Sequence, residues 1–273
     1  MAIENFIPEL WEGMMLRRWE NEKVFPALFD RHYEGIATKG NTVHITGVVK
    51  PAVKDYKANN RTTSADAITD TGVDLLIDEE KNFDFYVDDI DAVQAAGSLA
   101  DYTNAAADAL VEDADQYLAS LLVTEGDVLP YSNITTGDAA FNIFRDARKK
   151  LNQNKAPTVG RVAVVNAAFE ALLLGADSKL TAYDVSGDTA GLRRGTIGQL
   201  LNFRVISSNN LPEVDSPQAV FFVQEAAAYV SQIDKIEGMR AENKFADRIR
   251  GLHVYGAKVV RPEGVLVFNE QGT

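Results

Sequence analysis

From Val93 to Val123 the sequence runs without a proline, and its apolar residues fall at helical spacing. Leu99, Ala106, Leu110, Ala114, Tyr117, Leu118 and Leu121 recur at three- and four-residue steps, which places them on one face. Asp101, Asn104, Asp108, Glu112 and Asp115 keep the same period on the opposite, polar face. Asp91 followed three residues later by Gln94 has the form of a capping box, and Gly126 suits a C-terminal stop. The expected helix covers residues 92–124. At ~1.5 Å per residue it is roughly 45 Å long, against an average helix of about 11–12 residues. Gly97 inside it costs about 1 kcal/mol relative to alanine. A helix of this length outspans an ordinary small-domain core and reads as a strut.

Composition bounds what can be built along that strut. With 273 residues, 46% of them hydrophobic, the chain can bury a substantial core, arranged as two lobes or subdomains. It has no cysteine, which removes disulfides, thiolate chemistry and cysteine-based zinc sites. Met1 leads into acidic and polar residues, so no signal peptide is visible. No apolar stretch approaches the ~20 residues of a membrane span, and no membrane partner is expected. The net charge of −13 argues against a general affinity for nucleic-acid backbone.

Met1 to Tyr33 holds both tryptophans, Trp11 and Trp19, with a helical period from about Pro8 to Glu22. Tryptophan and methionine are enriched where surfaces meet partners. The segment is therefore either an arm docking on something larger or an amphipathic helix packed on its own core. Thr42 to Val49 alternates as a strand, with Val43, Ile45 and Gly47 on one side. Val73 to Val87 contains a second strand, on which Phe83, Phe85 and Val87 share a face. Between them Lys50 to Thr71 is a long polar span carrying Lys54, Tyr56, Lys57 and Arg61. Loops beyond ~12–15 residues are uncommon in compact domains unless functional or disordered. Two strands with such a tip form a projecting hairpin, either a lid over a site or an arm reaching a neighbour.

Further on, Ala139 to Leu151 reads as a helix with Ala140, Phe144, Ala147 and Leu151 inward. Arg161 to Val165 is a buried-type strand, Ala167 to Leu174 a short helix, and Gly175 to Gly195 a polar, glycine-bearing loop. Phe203 to Ser207, Ala219 to Val223, Leu252 to Arg261 and Val265 to Asn269 are strands, the last two joined by a Pro262-Glu263-Gly264 turn. The fold class is α+β.

The chain offers little chemistry. His32, His44 and His253 have no HExxH or HxH partner, so neither metal ligation nor general-base work is expected of them. Gly187, Gly191, Gly195 and Gly198 match neither the GxxxxGK[ST] nor the GxGxxG pattern. Asp84, Asp88, Asp89 and Asp91 lack the glycine and glutamate of a calcium loop and suit the start of a helix instead. Asp108, Glu112 and Asp115 are available as a carboxylate pair for hydrolysis, though a solvated helix face explains them as well. No catalytic residue, cofactor or metal is expected.

The order of the parts is more informative than any one residue. An apolar arm, a strand pair with a polar tip, the IDEEKNFDFYVDDID run and a very long helix resemble the major capsid protein of tailed bacteriophages, the Hong Kong 97-type fold. KAPTVGRVAVVNAAFEALLLG, GTIGQLLNFRVISSNNLP and NKFADRIRGLHVYGAKVVRPEGVLVF are similar to that family's axial and closing segments, so the likeness spans nearly the whole chain.

The resemblance implies an N-terminal arm over residues 1–35 and an extended β-hairpin loop over 36–86. It implies a peripheral domain from 87–155 and 237–273, with the spine helix at 92–124, and an axial domain over 156–236. Subunits would assemble as hexamers and pentamers into an icosahedral virion shell, formed in the host cytoplasm around double-stranded DNA without sequence-specific binding. A portal and a separate scaffolding protein are implied partners, because too few residues precede the loop to contain a scaffolding region. Trp11, Trp19, Lys54, Tyr56, Lys57 and Arg61 are the expected intersubunit contacts. Some members crosslink Lys to Asn, and Lys57, Asn59 and Asn60 lie in the loop, as in any polar loop. The neighbouring possibility within the fold is an encapsulin, a protein shell around a cargo enzyme.

Overall fold

The computed structural model describes residues 23–34, 41–47, 53–58, 61–63, 71–88, 99–131, 134–175 and 198–270. Trp11, Trp19, the Pro8 to Glu22 helix, residues 92–98 of the long helix and most of the Gly175 to Gly195 loop lie outside them.

A six-stranded mixed sheet carries the core. Its strands are β4 (Asp127–Val128), β5 (Arg161–Val165), β6 (Gln199–Leu200), β7 (Phe203–Ser207), β8 (Gln218–Val223) and β11 (Val265–Asn269), in the order β4-β11-β8-β5-β7-β6. RVAVV and QAVFFV are buried throughout, and apolar after their first residues, because the sheet is covered on both faces. Ala163, Val165, Phe221 and Phe268 face two helices, α3 (Gly137–Gln153) and α4 (Ala167–Leu173). Val162, Val164, Phe222 and Val267 face the long helix α2 (Leu99–Glu125) and the short N-terminal helix α1 (Phe25–Leu28). In α3, Ala140, Phe144, Ala147 and Leu151 are all fully buried, as their spacing required. Thr136 caps the helix by accepting from the Ala139 amide at 3.3 Å.

The long helix ends at Glu125, and Gly126 follows as a structural necessity. A β-carbon there would stand 2.5 Å from Val267 Cγ2 and 2.7 Å from the Leu122 carbonyl oxygen. The buried stripe of α2 is Ala114, Asp115, Leu118, Ala119 and Leu122. Leu110, expected at the centre of the apolar face, is only half-buried, and Asp115, expected on the polar face, is fully buried. The face is turned because α1 packs on the side where Asp115 lies and supplies it with hydrogen-bond donors. Tyr255 holds the helix to the neighbouring sheet, edge-on to Tyr117 at 5.6 Å and donating its hydroxyl to Asp113 at 2.9 Å.

This facing makes a ranked prediction for unfolding of the single chain in urea. Leu118→Ala is expected to cost about 3 kcal/mol, as for buried leucines generally. Leu110→Ala should cost less. Asp108→Ala should stay within roughly 0.5 kcal/mol, since the Asp108–Lys23 pair is only partly buried. A larger loss for Leu110 than for Leu118 contradicts the facing.

A second sheet has three strands in the order β3-β10-β9: β3 (Glu79–Asp88), β9 (Ala227–Arg240) and β10 (Ala246–Val259). β9 has no counterpart in the sequence reading, and β10 begins six residues earlier than the expected Leu252. At this end most of β9 from Lys235 to Arg240 is exposed, so no continuous apolar run marks that strand. Cross-strand ion pairs hold it instead, Arg248 with Asp84, Arg250 with Glu237 and Arg240 with Asp247. Asp84 thus belongs to the strand ladder rather than to a helix start.

The third sheet is the hairpin. β1 (Thr42–Gly47) pairs antiparallel with β2 (Thr71–Leu76), Thr42 opposite Leu76 and Gly47 opposite Thr71. The expected partner strand with Phe83, Phe85 and Val87 proves to be a separate element, β3, whose ladder is to β10. Val43, Ile45, Leu75 and Ile77 bury the hairpin root against Ala228, Val230 and Val254.

Candidate assembly surfaces

Three features of the surface could carry function, and each is built by a different part of the chain. The first is the tip of the β1–β2 hairpin. Asp55 accepts the Lys57 amide at 2.9 Å and the Ala58 amide at 3.3 Å, a local turn of the kind aspartate favours. The Arg61 amide donates to the Tyr56 carbonyl at 2.9 Å, with Arg61 in the left-handed region at φ 60. Lys54, Tyr56, Lys57 and Arg61 are therefore grouped on one turn and exposed, with Val53 fully exposed beside them. Trp11 and Trp19, the other expected contacts, lie outside the described residues.

The second is the seat of the N-terminal segment on α2. Asp115 is 0% exposed, and its Oδ1 accepts the Val24 and Phe25 amides, both at 2.8 Å. Its Oδ2 accepts Asn210 Nδ2 at 2.7 Å. Burial pushes this carboxyl above its ordinary range, while the three donors pull it back. Farther along, the Asp30 amide donates to the Ala227 carbonyl at 2.9 Å and the Tyr229 amide to the Asp30 carbonyl at 3.0 Å. The segment is thus fastened at both ends. Sequence reasoning missed Asp115 because it read one period of carboxylates. The available signal was that Val111, Leu118 and Ala119, its helical neighbours, are all apolar.

The third is the outer end of the three-stranded sheet, where Tyr86, Met239 and Phe245 are exposed. Lys244 and Arg248 sit over the Tyr86 ring at 5.5 and 5.6 Å. Lys235 and Arg250 hold the Glu237 carboxyl down at about 2. Its contribution to strand pairing is present above the usual carboxylate range and is lost only as pH falls through that value.

The groups considered from the sequence for catalysis have other partners where they are described. Asp108 pairs with Lys23, and Asp115 spends both oxygens on structural donors, which takes Asp115 out of the carboxylate set considered from the sequence. His44 pairs across strands with Asp74 at 2.6 Å, and His253 lies near Ser231 Oγ at 3.2 Å. Among the described residues no acidic, histidine or cysteine cluster could hold a metal ion, and no helix is long and apolar enough to cross a membrane.

A family model for phage capsid protein matches residues 77–268, which takes in all three strands of the outer sheet, the long helix and the six-stranded sheet. No curated protein matches the sequence. A solved structure from Mycobacterium phage Che8 is 57% identical, with all of both chains covered and a TM-score of 0.92. The capsid structure of Cyanophage P-SCSP1u aligns at a TM-score of 0.81 with 16% identity, over 98% of this chain and 94% of that one. The virus-like particle from Pyrococcus furiosus aligns at 0.57 with 14% identity, over 85% and 87%. The chain belongs to the phage capsid protein family and is a structural subunit of the virion shell.

Proposed function

We propose that this subunit has the Hong Kong 97-type architecture and closes into an icosahedral head around double-stranded DNA. Residues 1–35 act as an arm, 36–86 as the extended loop, 87–155 with 237–273 as a peripheral domain, and 156–236 as an axial domain. Hexamers and pentamers are the building units, a portal occupies one vertex, and a separate scaffolding protein guides closure. A shell needs heterologous contacts that close on themselves, so one chain must present several different surfaces. The acidic balance of −13 keeps the packaged phosphates from adhering to the wall. A cargo-loaded protein compartment has less support, since the archaeal particle shares only the fold.

The observation that carries this reading is the hairpin tip, which exposes Val53 and Tyr56 together with Lys54, Lys57 and Arg61. An isolated subunit has no reason to hold apolar side chains so far from its core. In a shell the tip lies on a neighbour, and Trp11 and Trp19 are further contacts of this kind. Trypsin should cut free subunits after Lys54, Lys57 or Arg61, and the same bonds should be protected in shells. A lid over a small-molecule site predicts protection in a monomer instead. Equal cleavage in both states removes the intersubunit role.

A further inference from the structure

We propose that the hairpin tip of one subunit docks in an acidic cleft at the root of the same hairpin in the next subunit. The inference rests on reading the tip as an intersubunit arm and names the surface that receives it. The cleft has a volume of about 950 Å³ and is walled by three separate parts of the chain. One wall is the hairpin root at Ile45, Thr46, Gly47 and Val73, and another is the N-terminal segment at Asp30. The third is formed by the loops at Val159, Glu225 and Glu263.

Charge and surface both match the tip. Asp30, Glu225 and Glu263 line the cleft, opposed there by Arg261, which stands 3.9 Å from Glu225, and by His32. The tip carries Lys54, Lys57 and Arg61, and its one carboxylate, Asp55, is engaged by the amides of its own turn. In a chain of net charge −13 such a cationic turn is a local exception, and an acidic cleft is its natural complement. The apolar parts correspond as well. Val53 and Tyr56 are uncovered on the tip, and Val159 is 84% exposed at the cleft.

Among the described residues the chain's own tip does not line the cleft, although the root of that hairpin does. The occupant is therefore a second copy, in a head-to-tail contact that repeats around a ring. The tip's turn is held by its own hydrogen bonds before docking, which lowers the ordering cost of the contact.

The test reverses charge on each side in protein expressed with its assembly partners, reading shell yield on gradients. Glu225 and Glu263 are exposed, so Glu225→Lys with Glu263→Lys leaves the fold intact, as circular dichroism checks. Either that pair or Lys57→Glu with Arg61→Glu should cut shell yield at least about tenfold, and combining them should restore most of it. Because the chain has no cysteine, a Val53→Cys, Val159→Cys variant supplies an independent readout. Oxidised shells should give a ladder of linked subunits, and free subunits none. Normal assembly of the Glu225, Glu263 variant, or no rescue in the combined one, overturns the cleft assignment. Should the tip variant alone fail to assemble, the tip is still an intersubunit arm but docks elsewhere.

Discussion

Asp115→Ala is expected to destabilise the subunit by about 3–5 kcal/mol, although it removes a carboxylate from a helix that carries several. The Val24 and Phe25 amides are the first donors of α1, and they have no intrahelical acceptor. Asp115 serves both from inside the core, and takes the Asn210 side chain as well. Truncation leaves three buried donors unpaired, each costing about 1–3 kcal/mol. Asp115→Asn separates hydrogen bonding from charge. It keeps an oxygen for the two amides, and a flip of Asn210 supplies the other contact. Because burial raises the carboxyl, the charge itself costs stability as pH rises through its folded value, and the asparagine avoids that cost. We expect it within about 1 kcal/mol of the parent. Equilibrium urea unfolding measures both. Similar losses for Ala and Asn would show that the charge, and not the acceptor, seats the segment.

Gly256→Val should cost about 3–6 kcal/mol and release the hairpin. A β-carbon at Gly256 would stand 2.1 Å from the Leu76 carbonyl oxygen and 2.8 Å from Ile77 Cα. Both are backbone atoms, so no rotamer change relieves the contact. Either β10 is forced out of its ladder with β9, or the hairpin root lifts away. Lifting exposes Val43, Ile45, Leu75 and Ile77, each worth about 1.5–3 kcal/mol when buried. Hydrogen exchange should report the site of damage. Loss of protection confined to 42–47 and 71–76 fits a lifted root. Unchanged protection there contradicts the role given to the glycine.

The sequence was legible where burial is complete on every side. α3, β5, α4, β8 and β11 appear where the pattern put them, because a two-faced sheet and the helices against it leave buried apolar positions at regular spacing. It was illegible where strands leave the body. β9 runs through Asp234, Lys235, Glu237 and Arg240, and nothing in that string separates a solvated strand held by ion pairs from a loop. Asp115 failed for another reason. A carboxylate at helical period looks solvated until the chain that hydrogen-bonds it, some ninety residues away in sequence, is known. The tip was found from the length of a polar span, whereas the cleft is assembled from well-separated stretches that no local pattern unites.

The central claim is that this chain closes into a shell, and electron microscopy of the purified protein tests it most directly. Expressed alone or with the scaffolding protein proposed for it, the protein should give closed particles tens of nanometres across, built of hexamers and pentamers. A stable monomer under every condition, with that partner present, would contradict it.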